Sequence, residues 1–319
     1  MNEFIIQTHD LTKAFGDFKA VDHVNLQVRP GEIVGFLGPN GAGKTTTLLM
    51  ILSLLTPTAG SVHLFGQQLQ DDPFGLKRRI GVVIEAQSFY DEMTAWEYLM
   101  FFARLYGLAK PEARAHHLLE RLNLWQWRDV LIGGYSTGMQ RKLALVRALL
   151  HSPDLLILDE PVASLDPFGI VQVRELLLAE REAGRTLLIS SHILSEIERT
   201  ADRIGIIVHG KLVFEDTMES LRQRVRGVQH IEVELVSPVN GIAQVLTALP
   251  FVTDVKADGQ RVTLLTCGDD DHRADVARAL AGHGALVQAM RTVEPSLEEA
   301  FITITESEVK RWTEGAHGR

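Results

Sequence analysis

The chain has 319 residues, 45% hydrophobic and 23% charged, the composition of a soluble protein with room for one large domain and a smaller one. Its 32 basic and 41 acidic residues leave a formal net charge of −9, which argues against a nucleic-acid partner. The single cysteine, Cys267, excludes an internal disulfide framework and a cysteine metal cluster.

The chain begins MNEFIIQTHD, with an early acidic residue and no basic segment ahead of an apolar one, so no signal peptide is expected. No apolar run reaches the length of a membrane span, so work at a membrane would require a partner chain.

Residues 1–220 alternate short apolar runs with longer helical ones, the pattern of a largely parallel α/β sheet buried on both faces. The predicted strands are VVIEA, LLILDEP, TLLISSH and RIGIIVHG. The predicted helices are KTTTLLMILSLL, TAWEYLMFFARLYGL, TGMQRKLALVRALL and DPFGIVQVRELLLAEREAG. The polar stretch DTMESLRQRVRGV is predicted to be a helical connector, with the linker between domains at 221–229.

Residues 230–319 have a different pattern of strand-like and helix-like stretches and are predicted to form a small α+β domain. Strand-like and helix-like stretches follow one another in the order β-α-β-β-α-β, which indicates a ferredoxin-like split βαβ fold. A final helix, PSLEEAFITITESEVKRW, is predicted after the last strand. This domain carries no chemical motif, and we expect it to help the protein dimerise or to regulate it.

A glycine-rich segment, GPNGAGKTT (38–46), follows the strand-like EIVGFL and opens a helix. The spacing G-x-x-x-x-G-K-[ST] in a strand–loop–helix setting predicts a phosphate-binding loop, in which backbone N–H groups and the helix N-terminus surround the phosphates. Lys44 is expected to reach the β- and γ-phosphates, and the hydroxyl of Thr45 to bind Mg²⁺. The predicted ATP-binding residues of this phosphate loop are Gly38, Pro39, Asn40, Gly41, Ala42, Gly43, Lys44, Thr45 and Thr46.

The apolar run LLILDEP ends in two carboxylates, Asp159 and Glu160. A buried strand of an open α/β sheet delivers such residues to the edge where ligands bind. Asp159 is therefore predicted to hold Mg²⁺ through water, and Glu160 to orient or deprotonate the attacking water. ATP and Mg²⁺ are the predicted cofactors.

Between the phosphate loop and the acid pair lies YSTGMQRKLALVRALL, which resembles the LSGGQ signature of ATP-binding-cassette (ABC) ATPases. It departs from that pattern at Tyr135, Thr137 and Met139, and it retains Ser136 and Gly138. The resemblance implies that the two retained residues contact, in trans, a γ-phosphate bound to a partner cassette. Ser136 is also a favourable N-cap for the helix that follows.

Three further segments resemble motifs of the same family. SLDP (164–167) resembles the D-loop, which implies that Asp166 faces the partner cassette. His192 follows the predicted strand TLLISSH as the family's switch histidine does, which implies contact with the γ-phosphate. LTKAFGDFKAVDHV resembles the adenine-stacking loop, with Phe15 at the aromatic position. Phe18 is the competing choice, and a core role for either ring is the alternative.

The resemblance covers residues 4 to about 220. It implies a P-loop NTPase cassette: a core sheet with an antiparallel β-subdomain and a helical subdomain at about 89–135. It also implies that two cassettes pair head to tail, close on ATP and reopen after hydrolysis. Because one chain carries all the motifs, a homodimer is the simplest assembly.

Three features are similar to stand-alone ATPases of ABC-2-type exporters: Met139, the IE of VVIEAQSFY, and PSLEEAF near the end. They imply an ATPase that drives export through a separate integral-membrane permease, at the cytoplasmic face of the cell membrane. The alternatives are an importer ATPase and, less favoured, a soluble ABC ATPase outside transport.

Aromatic residues concentrate in the predicted helical subdomain. All four tyrosines and three of the four tryptophans lie between positions 90 and 135. In the family this subdomain receives a helix of the membrane subunit, and aromatics are enriched in interface cores. We expect these side chains to fill the core of the subdomain and also to form part of that interface.

The segment VVIEAQSFYDEMT holds two candidates for a polar ligand that the family places after this strand. The family has a glutamine there, then an aromatic or aliphatic pair, then LT. Counting back from positions 93–94 and 89–90 puts Glu85 at the glutamine position, so Glu85 is predicted to contact Mg²⁺ and the attacking water. The competing interpretation makes Gln87 the ligand and Glu85 a spacer.

An acid at this position should make ATP hydrolysis depend more steeply on Mg²⁺ than in the variant Glu85→Gln. Ionised Glu85 only accepts hydrogen bonds and adds negative charge near the γ-phosphate, whereas a glutamine also donates. That repulsion is tolerable only with the metal in place. Mg²⁺ titrations of the ATPase rate compare the two proteins, and superimposable curves would contradict the assignment.

Overall fold

The structure, a computed structural model, describes residues 3–68, 71–85, 87–225, 228–267, 270–293 and 301. The chain divides into two compact units, Met1–Thr217 and Met218–Arg319. The helix Met218–Val225 therefore belongs to the second unit, and the next strand begins at Val228.

The first unit contains eleven strands and seven α-helices within the described residues. The strands are β1 (Ile6–Phe15), β2 (Phe18–Val24), β3 (Gln27–Val28), β4 (Ile33–Leu37), β5 (Ala59–Leu64), β6 (Gln67–Gln68), β7 (Ile80–Val83), β8 (Leu155–Asp159), β9 (Thr186–Ser191), β10 (Arg203–Val208) and β11 (Lys211–Thr217). The helices are α1 (Lys44–Ile51), α2 (Pro73–Lys77), α3 (Ala95–Tyr106), α4 (Glu112–Arg121), α5 (Thr137–Leu150), α6 (Pro167–Glu182) and α7 (Leu194–Glu198).

A six-stranded sheet forms the centre of this unit, in the order β11-β10-β4-β9-β8-β7. The strands from β10 to β7 are parallel to their neighbours, and β11 is antiparallel to β10. Every residue of β4, β8 and β9 is buried. Burial on both faces explains why these strands are nearly continuous aliphatic runs rather than alternating ones. Their carboxyl ends share one edge of the sheet.

A smaller antiparallel sheet packs its apolar side into a core that also includes residues of β4, β8 and α1. Its strand order is β2-β1-β5-β6, with β3 paired to β1. The β1–β2 hairpin turns at Gly16, whose φ of 60° lies in the left-handed region that glycine adopts without strain. Phe15 and Phe18 face each other across this hairpin.

The region around 89–135 contains α3, α4 and two short 3₁₀ helices, Trp125–Trp127 and Ile132–Gly134. Thr94 and Glu97 form a reciprocal capping box that satisfies two orphan N–H groups at the start of α3. Tyr98, in the first half of α3, is almost completely buried. Helix α4 was not predicted, because EARAHHLLER has few apolar residues. In the described part of the chain no helix is both long and apolar enough to cross a membrane.

The second unit contains α8 (Met218–Val225), β12 (Val228–Leu235), α9 (Ile242–Thr247), β13 (Val252–Asp258), β14 (Arg261–Cys267), α10 (Arg273–Gly282) and β15 (Val287–Val293). From β12 onward the order is β-α-β-β-α-β, as the sequence predicts. The sheet is antiparallel, in the order β13-β14-β12-β15. Alternate residues such as Ile231 and Leu264 pack with Leu246 of α9 and Leu280 of α10. The predicted final helix, apart from Phe301, lies outside the described residues.

A buried carboxylate connects the helical region to the core. Glu180 of α6 is only 6% exposed and forms an ion pair with Arg185. Its other oxygen lies 4.0 Å from Nη2 of Arg114 on α4. Arg114 also donates from Nε to the carbonyl of Leu149 at 2.9 Å, so it bridges α4, α5 and α6.

Removing the Glu180 carboxylate should destabilise the first unit. The variant Glu180→Ala leaves two partly buried arginines without their shared counter-charge, and the free energy of unfolding should fall by about 3 kcal/mol. Glu182→Ala, at an exposed position of the same helix, is the matched control and should change it by less than about 0.5 kcal/mol. Urea unfolding measures both, and equal losses would contradict the role of Glu180.

Candidate active site

The phosphate loop connects β4 to α1 and is wedged between neighbouring strands. A Cβ at Gly38 would lie 2.4 Å from the carbonyl oxygen of Ile207. A Cβ at Gly43 would lie 2.5 Å from the carbonyl oxygen of Ala20, and the φ of Gly43 is 106°. Both positions therefore require glycine. Pro39, Asn40 and Gly41 are exposed, Ala42 is buried, and Thr46 is half-buried on the first turn of α1.

Lys44 folds back over this loop. Its Nζ donates to the carbonyl oxygens of Gly38 at 2.7 Å and Pro39 at 3.3 Å. It also lies 3.8 Å from Oε1 of Glu160. Burial lowers the pKa of Lys44, and nearby carboxylates oppose that effect, Glu160 most strongly, then Asp159 and Glu85.

The hydroxyl of Thr45 meets Asp159, the last residue of β8. Thr45 Oγ1 donates to Asp159 Oδ2 at 2.8 Å. The hydroxyl of Ser190 on β9 donates to the other carboxylate oxygen. Asp159 is 1% exposed, so its orientation is fixed from two sides. Hydroxyl and carboxylate oxygens together are a donor set that suits a hard cation such as Mg²⁺.

Glu160 follows at a sharp turn of the chain, with a φ of 50°. A positive φ costs free energy in a residue other than glycine and is held here by surrounding contacts. The backbone N–H of Glu160 is shared between the carbonyl and the hydroxyl of Ser190, each at 3.2 Å. The buried side chain lies between Lys44 and His192, whose Nδ1 is 2.9 Å from Oε2 without the alignment of a hydrogen bond.

Glu85 and Gln87 have different surroundings beyond the end of β7. Glu85 is exposed and close enough to act electrostatically on Lys44 and Arg141. Gln87 is turned away, and its Oε1 accepts a hydrogen bond from Nη2 of Arg147 at 3.1 Å. Both residues line a cavity of about 300 Å³ with residues of α5. The charge of Glu85 acts to raise the pKa of Lys44, and the Oε1 atom of Gln87 is occupied by Arg147.

The signature segment lies at the start of α5. Ser136 caps this helix by accepting from the N–H of Met139 at 3.2 Å. The Cα of Gly138 lies so close to the segment before α6 that a Cβ there would be 3.1 Å from the carbonyl of Ser164. Asp166 caps α6 through the N–H of Gly169 at 2.8 Å. Ser136, Gly138 and Asp166 line one cavity of about 330 Å³, which shares Thr137 and Ser164 with the cavity lined by Glu85.

Phe15 is not a core residue. Its ring is 53% exposed and that of Phe18 is 65% exposed, so the alternative of a core role is wrong for both. The ammonium of Lys13 lies 5.1 Å from the centroid of the Phe15 ring, a cation–π contact.

Two contacts of the site were not predicted. Ser190 orients Asp159 and Glu160, and the signal for it was present: TLLISSH, like LLILDEP, ends a buried strand in polar residues. Arg141 of α5 donates to the carbonyl oxygens of Ile84 and Glu85. No local sequence pattern predicts the contact of Arg141 with Ile84 and Glu85, because the two segments are more than 50 residues apart.

Comparisons with known proteins agree with this geometry. Residues 21–163 match the family model described as ABC transporter. The bacitracin transport ATP-binding protein BcrA of Bacillus licheniformis is 45% identical over 232 residues, 72% of this chain and 75% of that protein. BcrA of Enterococcus faecalis is 36% identical over 94% of this chain and 96% of that protein.

A third relative and a solved structure extend the match. The daunorubicin/doxorubicin resistance ATP-binding protein DrrA of Streptomyces peucetius is 34% identical over 94% of this chain and 92% of that protein. A solved structure of an ATP-binding subunit of an ABC transporter is 32% identical with a TM-score of 0.65, and the match covers 69% of this chain and 92% of that one. The chain therefore belongs to the ABC transporter family of ATP-binding proteins. It is an ATPase with the cassette fold that the sequence motifs predict.

Proposed function

We propose that the chain is the ATP-hydrolysing subunit of an exporter, acts as a homodimer and works with a separate integral-membrane permease. The observation that carries the ATPase part is the set of charged groups at one sheet edge, Lys44, Asp159 and Glu160. The relatives named for bacitracin transport and for daunorubicin/doxorubicin resistance support export. On this proposal the subunit operates at the cytoplasmic face of the membrane and has no nucleic-acid partner.

The phosphate loop binds the ATP phosphates through its backbone N–H groups and Lys44. Mg²⁺ would be held by Thr45 and Asp159, with Glu85 near it, because hydroxyl and carboxylate oxygens are its preferred ligands. When bound, the ion neutralises charge that develops on the transferred phosphoryl group. Phe15, exposed on the β1–β2 hairpin, stacks on the adenine.

Glu160 is the general base that accepts a proton from the attacking water. Its carboxylate is held from both sides, by Lys44 at 3.8 Å and by His192 at 2.9 Å. His192 is 47% exposed and so can turn toward a γ-phosphate while staying in contact with the base. Lys44 balances the negative charge of the carboxylate and of the phosphates alike.

Glu85 takes the polar ligand position after β7, and Gln87 does not. The support is electrostatic and geometric: Glu85 acts on Lys44, whereas the Gln87 side chain accepts from Arg147. Ser136, Gly138 and Asp166 serve the partner's site in the dimer. The support is that these three residues line one cavity at the start of α5, where they could together meet a γ-phosphate held by the other chain.

The permease contacts an exposed patch of the helical region, formed by Tyr90, Phe101 and Leu105. Tyr90 and Phe101 touch edge to face, with ring centroids 5.9 Å apart. Leu105 follows Phe101 by one helical turn on α3 and is 64% exposed. Large exposed apolar side chains that cluster are typical of interaction sites.

The variant Glu160→Gln should trap an ATP-bound dimer. An amide cannot accept the proton of the attacking water, so hydrolysis should fall at least about a hundredfold while ATP binding persists. Size-exclusion chromatography with Mg²⁺ and ATP should then show a dimer that the wild type forms only transiently. Hydrolysis at the wild-type rate would remove Glu160 as the base, and a monomer in ATP would contradict the homodimer.

The variant Leu105→Asp should weaken the contact with the permease. A charge placed in an apolar interface should reduce the membrane subunit that co-purifies in detergent extracts about tenfold. Leu286→Asp, at an equally exposed leucine of the second unit, is the control and should leave co-purification unchanged. Equal recovery of the membrane subunit with both variants would contradict the proposed patch.

A further inference from the structure

The segment that carries Glu85 lacks sheet partners of its own. Strand β7 makes its last pair with β8 at Val83. The carbonyl groups of Ile84 and Glu85 lie beyond that pair. Their partner is a side chain of α5.

Arg141 holds the near end of this segment. Its Nη1 donates to the carbonyl of Ile84 at 3.1 Å and its Nη2 to the carbonyl of Glu85 at 3.3 Å. Burial lowers the pKa of Arg141, and nearby carboxylates oppose that effect, Glu85 most strongly. A planar guanidinium that spans two consecutive carbonyls fixes the position and the direction of the peptide, which a lysine cannot do.

Arg147, six residues further along α5, contacts residues on both sides of Ile84 and Glu85. Its Nη2 donates to the carbonyl of Val82 at 2.9 Å and to Oε1 of Gln87 at 3.1 Å. Its Nη1 donates to the hydroxyl of Tyr98 on α3 at 3.2 Å. One guanidinium thus joins the end of β7, the following segment and the helix that carries the exposed patch.

Both arginines belong to the helix whose first turn is the signature. Helix α5 runs without interruption from Thr137 to Leu150, and Ser136 caps it. A continuous helix of this length moves as one body, so a displacement of its N-terminus carries Arg141 and Arg147 with it. Residues 82–85 and Gln87 are therefore attached through two arginines to the element that would meet the partner's nucleotide.

We propose that Arg141 and Arg147 are positioning residues that hold Glu85 toward the nucleotide of its own cassette and make its placement follow the signature helix. This inference rests on the proposed role of Glu85. Neither arginine need touch the nucleotide. Loss of the hydrogen bonds from either arginine leaves the Glu85 backbone less constrained. A misplacement of about 1 Å at a reacting centre costs up to about a hundredfold in rate.

A double-mutant cycle tests the inference in the full-length protein. Arg141→Lys should lower kcat for Mg²⁺-dependent ATP hydrolysis about tenfold, as loss of a supporting contact does, and leave KM for ATP within about twofold. In the background Glu85→Ala, the same Arg141→Lys change should have no further effect. Arg104→Lys, at an exposed arginine of α3, is the control and should keep the wild-type kcat.

The outcomes distinguish the positioning role of the two arginines from the proposed role of Glu85. Glu85→Ala with wild-type kcat would overturn both. A tenfold loss from Arg141→Lys that persists undiminished in the Glu85→Ala background would overturn the positioning role alone. Should Arg141→Lys fold poorly, Gln87→Ala is a second test: it removes the acceptor of Arg147 and a contact to Tyr98, and it should lower kcat about threefold. That loss should also vanish in the Glu85→Ala background, and its persistence would count against the inference.

Discussion

The buried ammonium of Lys44, 3.8 Å from the carboxylate of Glu160 and near the charge of Asp159, is the constraint on which the first unit depends. Charges removed from water must be paired, so the strand that leads into the lysine loop and the strand that supplies the acids must end at the same edge. A parallel sheet with β4, β9 and β8 adjacent meets that requirement. Ser190, on the middle strand of the three, then supplies the hydroxyl that orients both acids.

Helix α5 joins two functions that the linear motifs keep apart. Its capped N-terminus carries the signature residues, and Arg141 and Arg147 donate hydrogen bonds to the segment with Glu85. One helix thereby supports both the signature residues and the segment with Glu85. Arg147 extends the same connection to Tyr98, and hence to the aromatic side of α3.

The strands and helices of the first unit differ in how well the sequence predicts them. Strands β8 and β9 were predictable because each contains a continuous aliphatic run. Helix α5 was predictable because its apolar residues recur with a helical period. Helix α4 was missed because its sequence is mostly polar and only Ala115, Leu118 and Leu119 among its residues are buried. Counting residues between fixed motifs predicts Glu85 rather than Gln87 at the ligand position, and the hydrogen bond from Arg147 to Gln87 is a contact that this counting does not reveal.

The sequence by itself determined the chemistry: a phosphate loop of fixed spacing, two acids at a strand end, and a capped signature helix. Those features are local, since each depends on neighbours within a few residues. Only the tertiary structure decided that Ser190 orients the acids, that Gln87 faces Arg147, and that Phe15 is exposed. These outcomes depend on contacts between segments 30 to 60 residues apart or on the burial of a whole surface, which no local pattern encodes.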